Sequence, residues 1–354
     1  MSLRTIYIEQ LISQLDQYTL IDARSEREFE KGQLPQAVNV PLLDNIERQK
    51  IGTTYKNRGR EDAVHQGLEL VGPKMHKLYE RYLELSDLTQ KPLLFYCWRG
   101  GLRSGISSTL MQWSGRPVFR LEGGYKSYRK WVQNQFDRPF RFISISGNTG
   151  SGKTEILHLL KQKGLQVLDL EGLANHKGSA YGALGQLPQP STESFENALA
   201  WELHRLSEDQ PVFVESESRS IGNCFIPQGI WDKMESAYIL RIAVNLEQRI
   251  ERLLREYSHF DVELLKSRTE KLRKKLGGQH ANEAILALDQ KDFKRWIEIV
   301  LVYYDKTYSH SQNKPNKNEL GLFQFDWLNQ QDSFMYLLQF IQDWIQGEWK
   351  TNIK

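Results

Sequence analysis

The strand-like run Phe140-Arg141-Phe142-Ile143-Ser144-Ile145-Ser146 passes directly into Gly147-Asn148-Thr149-Gly150-Ser151-Gly152-Lys153-Thr154, and a helical pattern follows. Strand, glycine-rich loop and helix in that order admit few folds. The glycines let successive backbone N–H groups turn inward on a phosphate chain at a helix N-terminus. Lys153 would neutralise terminal phosphate oxygens, and Thr154 is placed to hold Mg²⁺. Further apolar, strand-like runs follow at 166–170, 211–219 and 237–244, while upstream those at 19–22, 93–96 and 116–121 alternate with helical spacing, which predicts a parallel sheet covered on both faces in the first domain. The run 211–219 ends in acids, where a phosphate-binding loop keeps a second carboxylate near its metal. Glu215 and Glu217 are the candidates, on opposite faces if the strand persists that far.

A second constraint lies upstream. Leu93-Leu94-Phe95-Tyr96 reads as a short buried strand that delivers Cys97 into Trp98-Arg99-Gly100-Gly101-Leu102-Arg103-Ser104, ahead of a helical pattern. A thiol at a strand end, facing free amides and a helix N-terminus, sits where a thiolate is stabilised. The backbone amides and Arg103 would bind a tetrahedral anion. Cys224 has no basic or glycine-rich neighbours and reads as a structural residue.

Asp137-Arg138-Pro139 divides the chain, because Pro139 ends one helix and a strand begins at once. The expected domains are 1–137 and 138–354. Within the first, 50–72 reads as a solvated basic loop between helices at 42–51 and 73–85. Within the second, Arg249, Arg252 and Arg255 either close over phosphates or serve the surface, and His176 reads as a satisfied loop residue. Lys266, Arg268, Lys271, Arg273, Lys274 and Lys275 form the densest basic run, which suggests contact with a polyanion such as RNA. An amphipathic helix is expected at 333–348.

Composition narrows the class. With 40% hydrophobic and 26% charged residues, the chain is that of a globular protein. No apolar run reaches the roughly 20 residues needed to span a bilayer. The N-terminus has no secretory pattern, and two cysteines in 354 residues build no disulfide framework, so a reducing, cytoplasmic setting is expected. A net charge of +3 is too small to imply nucleic acid without local clustering.

The first half resembles the rhodanese family through Asp22, Arg24, Glu28, Phe29, Gly32-Gln33-Leu34, Ala37, Asn39, Val40, Pro41, the cysteine loop and Glu122-Gly123-Gly124. The size of the cysteine loop also resembles that of phosphatases sharing the fold. The resemblance implies an α/β fold, with an N-terminal rhodanese-like domain and a C-terminal P-loop NTPase-like domain whose last part is helical and basic. Asp169-Leu170-Glu171, Asn175-His176-Lys177-Gly178-Ser179 and Glu215-Ser216-Glu217-Ser218-Arg219, added to the two loops, make the whole chain resemble the tRNA 2-selenouridine synthase family.

That resemblance implies a transferase acting on tRNA for Lys, Glu and Gln that carries 2-thiouridine at the wobble position. Family members attach a geranyl group from geranyl diphosphate to sulfur, then replace S-geranyl with selenium from selenophosphate. It further implies that Cys97 carries selenium as a selenyl-sulfide and that the P-loop takes the diphosphate. Selenophosphate and geranyl diphosphate would be co-substrates, Mg²⁺ an accessory ion, and no cofactor would be tightly bound. A selenophosphate-producing enzyme would be a partner, and a membrane would not. Two other classes remain open from the residues: an ATP-dependent RNA-activating enzyme or kinase with an attached sulfurtransferase, and a non-catalytic RNA-binding protein.

Overall fold

Ten of the strands fall into two five-stranded parallel sheets, one in each of two units, in a computed structural model that describes residues 3–312 and 318–349. The N-terminal sheet contains β1 (Arg4–Ile6), β2 (Thr19–Asp22), β3 (Val38–Asn39), β4 (Leu93–Tyr96) and β5 (Val118–Leu121), in the order β1-β5-β4-β2-β3. Its helices are α1 (Ile8–Ser13), α2 (Glu26–Lys31), α3 (Asn45–Arg58), α4 (Arg60–Val71), α5 (Met75–Thr89), α6 (Leu102–Gln112) and α7 (Gly124–Phe136). Strand β4 lies in the middle, and Leu93, Leu94, Phe95 and Tyr96 are all buried. Burial of each such side chain is worth roughly 1.5–3 kcal/mol, which holds the base of the cysteine loop in place.

The second unit contains β6 (Phe142–Ser146), β7 (Gln166–Leu168), β8 (Val212–Glu215), β9 (Ser220–Ile221), β10 (Cys224–Phe225), β11 (Tyr238–Ala243) and β12 (Glu319–Gln324). The order β12-β11-β6-β8-β7 is parallel throughout, and β9 and β10 form a separate antiparallel pair. Its helices begin with α8 (Lys153–Gln162), α9 (Leu170–Ala174), α10 (Thr192–His204), α11 (Gln228–Glu235) and α12 (Leu246–Tyr257). Next come α13 (Val262–Lys271), α14 (Arg273–Leu276), α15 (Gly278–Asp289), α16 (Phe293–Gln312) and α17 (Gln330–Trp344). Helices α12 to α16 carry their own apolar core around Leu265, Leu288 and Trp296. No helix among the described residues is long and apolar enough to cross a membrane.

Three features differ from the expectation. Residues 50–72 are not a loop: they complete α3 and form α4, with a turn at Gly59, where φ is +93°. Asp44 caps α3 by accepting from Glu47 N at 2.8 Å, and Glu47 returns a bond to Asp44 N at 2.9 Å. No residue of α3 is fully buried, so the apolar stripe that normally announces a helix is missing. Strand β12 joins the edge of the second sheet beside β11, although it begins 76 residues after β11 ends (319 − 243).

The third difference concerns 191–201, which sequence order places with the second domain. Residues 191–201 pack with residues 1–136 as one unit, and 137–190 with 202–354 form the other. Polar contacts explain the grouping. Asn197 Nδ2 donates to Tyr125 OH at 2.8 Å and to Gln33 O at 3.2 Å, and Tyr125 OH donates to Glu193 at 3.0 Å. Arg129 pairs with Glu196, and Ser191 donates to Lys31 O.

Candidate functional site

Each unit brings one loop to the C-terminal end of its sheet, the usual place for ligands in open α/β sheets. In the N-terminal unit Cys97 follows β4, is 3% exposed, and has a free thiol. Ser104, buried in the first turn of α6, donates its hydroxyl to Cys97 Sγ at 3.3 Å. The loop is closed from below by the start of α7. Tyr125 N donates to Cys97 O at 2.8 Å and Lys126 N to Trp98 O at 2.9 Å. A Cβ on Gly124 would lie 2.2 Å from Cys97 O and 2.4 Å from Gly100 N, and Gly124 has φ +60°. Only glycine satisfies both demands. This is why the Glu122-Gly123-Gly124 turn accompanies the cysteine loop in one sequence.

The predicted loop residues divide by role. Gly100 turns the loop at φ +66°, and Gly101 precedes α6 as its N-cap. Trp98 is partly exposed and leans on Tyr125 at 5.7 Å between ring centroids. No bond of the Arg99 side chain bears on the thiol. Arg103, expected to reach for an anion, is held by Glu28: Nη1 to Oε2 is 2.5 Å and Nη2 to Oε1 is 3.2 Å. Burial pushes the Glu28 carboxyl up, but the hydrogen bond and charge of Arg103, with Arg48 beyond, outweigh it and hold it below its usual range. An anion entering this loop would share Arg103 with Glu28.

In the second unit β6 leads into the loop 147–152 and α8 begins at Lys153. Gly150 and Gly152 have φ of +81° and +80°, the backbone reversal that turns amides toward a phosphate. Lys153 Nζ donates to Gly147 O at 3.2 Å, across the mouth of the loop. The three arginines expected nearby have different fates. Arg249 is buried, donates to Thr149 O at 2.9 Å and grips Asp305 with both Nη atoms, so it braces the loop from behind. Arg252 lies 3.7 Å above the Trp327 ring, pairs with Glu155 and lines the cavity. Arg255 is exposed beside Glu251.

The cavity has a volume of ≈ 460 Å³ and is lined by the loop, by Lys177-Gly178-Ser179, and by Leu253, Tyr257 and Tyr304. Those last three, with Thr149 and Ser179, also line a small apolar recess (≈ 30 Å³) completed by Tyr181, Trp296 and Val300. Thus one end is a glycine-rich loop with a lysine and the other an aromatic wall. His176 stands behind the lining with Nδ1 buried and without a hydrogen-bond partner, and burial and the Arg268 charge push it down.

Three carboxyls converge on Lys153 and Thr154. Strand β8 stops at Glu215, and Glu217 N turns back to Glu215 O at 2.9 Å, so the alternation that would put the two on opposite faces ends before Glu217. Glu171, at the start of α9, is the third member and was not singled out as an acid from sequence. Thr154 Oγ1 donates to Glu171 Oε2 at 3.2 Å, and Glu171 shares a hydrogen bond with Glu217. Burial, then the charge of Glu217, pushes Glu171 up. Burial also pushes Glu217 up, against the pull of Lys153. Glu215 is fully buried with neither oxygen partnered. Burial, then the charge of Glu171, raises it to about 8. Among the described residues no three His, Cys, Asp or Glu side chains form a ready-made metal cage. A hard cation here would take its oxygens from Thr154, one carboxylate, phosphate and water, the usual arrangement for Mg²⁺.

Glu215 carries a pH prediction. A carboxyl raised in the folded state binds more protons there than when unfolded, so stability falls as pH rises from its ordinary 4.5 towards about 8. The melting temperature of the apo protein is therefore expected to fall between about pH 5 and pH 8. Glu215→Gln is expected to make that fall shallower and to stabilise the protein by on the order of 2 kcal/mol at the upper end. Thermal melts of both proteins across that range check it. An unchanged slope would mean that Glu215 is ionised at little cost.

The basic run 266–275 is less available than its composition suggests. Lys266 bonds Asp289 at 2.7 Å and Glu263 at 3.0 Å, and Arg273 bonds Glu270 and Asn282. Arg268 lies close enough to His176 to depress it. Lys271, Lys274 and Lys275 are exposed.

The sequence pattern of the rhodanese-like domain matches residues 7–131, and that described as "tRNA 2-selenouridine synthase AAA domain" matches 140–263. A tRNA 2-selenouridine synthase of Shewanella frigidimarina (strain NCIMB 400) is 35% identical, with 90% of this chain and 96% of that one aligned. The protein of the same name from Shewanella halifaxensis (strain HAW-EB4) is 36% identical over 85% and 90% of the two chains. The one from Pseudomonas fluorescens (strain Pf0-1) is 35% identical over the same shares.

Proposed function

Because the chain belongs to the tRNA 2-selenouridine synthase family, we propose that it is a transferase that converts 2-thiouridine at the tRNA wobble position to 2-selenouridine in two steps, one at each loop. The tRNAs for Lys, Glu and Gln are its substrates in this reading. In the first step the base sulfur attacks C1 of geranyl diphosphate. The C–S bond forms, the C–O bond breaks, pyrophosphate leaves with the electron pair, and the base gives up its N3 proton. In the second, the selenium of selenophosphate, bound at the Cys97 loop, attacks C2: the C–Se bond forms, the C–S bond breaks and the S-geranyl group departs as the thiolate. The Cys97 thiolate then takes the phosphoryl group, the S–P bond forming as the Se–P bond breaks, and water releases it as phosphate.

The observation that carries the first step is the composition of the cavity at Lys153. A diphosphate fits the loop amides, Lys153 and Arg252, while Leu253, Tyr257 and Tyr304 offer apolar surface to a hydrocarbon chain. Donors fixed around a departing pyrophosphate stabilise the charge that develops as the C–O bond breaks. Mg²⁺ would be held through Thr154 and a neighbouring carboxylate and would add to that neutralisation. Arg252, stacked on Trp327, is already oriented and loses little freedom when it meets phosphate.

Cys97 supports the second step. It is a free thiol on a rigid strand end, with a hydroxyl donor at 3.3 Å and an arginine in the same loop. Such a setting suits a nucleophile that takes a phosphoryl group from the selenium of a tetrahedral anion.

Mass spectrometry of nucleosides tests the reading. Thiolated tRNA incubated with the protein and geranyl diphosphate alone should yield S-geranyl-2-thiouridine. Adding selenophosphate should then yield 2-selenouridine. Selenation that proceeds equally well without any geranyl diphosphate would overturn the two-step order.

A further inference from the structure

The α3–α4 hairpin is the part of the N-terminal unit that the two loops do not explain. Between residues 48 and 60 it carries Arg48, Lys50, Lys56, Arg58 and Arg60, and no acid. Arg48 leans on Glu28 at 3.7 Å. Lys50, Lys56, Arg58 and Arg60 are exposed, and none of the four makes an ion pair among the described residues. Glu61 and Asp62, in the first turn of α4, mark the limit of this basic surface.

Beside the hairpin runs a groove of ≈ 610 Å³. Arg60 and Arg120 are its charged wall residues. Leu68 and Met75 line it from α4 and α5, and Leu102, Ile106 and Trp113 from α6 and its end. Trp113 is 70% exposed and Leu102 55%, an unusual outlay of apolar surface next to a loop that bears a nucleophile. Gly101 and Leu102 belong both to this groove and to the cysteine loop. The Nε of Arg120 is buried with no hydrogen-bond partner, although an arginine normally satisfies its donors.

We propose that the α3–α4 hairpin and this groove are the face on which RNA docks to the N-terminal unit, the hairpin cations on backbone phosphates and an unstacked base against Trp113 and Leu102. The inference rests on the reading of tRNA as substrate and specifies where the strand meets Cys97. Charge complementarity favours this occupant: four uncommitted cations suit a polyanion, whereas an apolar peptide would leave them without partners. An exposed indole beside an apolar wall provides the stacking surface that proteins use for splayed bases. The groove has ample room for one pyrimidine. In the run 266–275, by comparison, Lys266 and Arg273 are already committed to carboxylates.

The test uses the full-length protein and thiolated tRNA. Charge reversal at Lys56→Glu, Arg58→Glu and Arg60→Glu together is expected to weaken binding at least about tenfold at moderate salt, and to reduce the slope of log affinity against log salt by about 2 to 3. Neutralisation at the same three positions with glutamine should give a smaller loss of the same kind, with both melting temperatures near that of the parent. Trp113→Ala is expected to weaken binding about five- to tenfold with the salt slope unchanged, and to slow selenation of bound tRNA at least about tenfold. Wild-type affinity and salt slope in the reversal variant would overturn the proposal, as would loss of binding only on reversal at Lys271, Lys274 and Lys275. Failure of the parent protein to bind tRNA would instead count against the substrate reading itself.

Discussion

Cys97→Ala is expected to abolish selenation, by at least about 10³-fold, while geranylation of the same tRNA continues within about threefold of the parent rate. The asymmetry follows from the two sites being built from different segments. The thiol ends β4 and is touched by Ser104, whereas the phosphate cradle follows β6 and is lined by α8, α9 and α12. Loss of one buried sulfur should cost the fold about 1 kcal/mol, because alanine keeps the backbone contacts of Cys97 O with α7. Nucleoside mass spectrometry, starting from thiolated and from geranylated tRNA, separates the steps. Lost geranylation with intact selenation of geranylated tRNA would reverse the assignment.

Lys153→Ala is expected to do the opposite. Geranyl transfer should fall about 10²–10³-fold, since the leaving pyrophosphate loses its nearest fixed cation. Selenation of tRNA that already carries the geranyl group should be retained. Lys153 also offsets the charge of Glu171, Glu215 and Glu217, so its removal leaves those carboxyls still more reluctant to ionise. Lys153→Arg keeps the cation and separates that effect from loss of the ammonium itself. A parent protein that hydrolyses ATP when tRNA is added, and loses this in Lys153→Ala, would favour the RNA-activating reading.

The loops were legible because their chemistry is local. Eight consecutive residues from Gly147 carry the glycines, the lysine and the hydroxyl of the pattern, and their spacing alone implies the strand, turn and helix that are found. The cysteine loop is equally contiguous. Legibility faded where a role depends on a distant partner. Arg103 is an anion ligand by its position in the loop, yet Glu28, 75 residues earlier, holds it. Glu171 stands in a short helix with nothing nearby to mark it as acidic machinery, and only the ends of β7 and β8 bring it to Glu215 and Glu217. Helix α4 hid because its buried positions are few, Ala63 and Val71.

By itself, then, the sequence determined two α/β units, a glycine-rich strand–loop–helix turn at Lys153 and a thiol loop at Cys97. Each rests on backbone geometry set by near neighbours and on strands that read as apolar runs. Tertiary structure alone decided which charges are spent and which are free. Arg249 became a brace through Asp305, the three carboxyls became one cluster, and the segment 191–201 became part of the N-terminal unit through Asn197 and Tyr125. The physical reason is that a charge is spent or free according to what lies within a few ångströms. For residues tens of positions apart, that distance is fixed by strand order and helix packing, which no local pattern encodes.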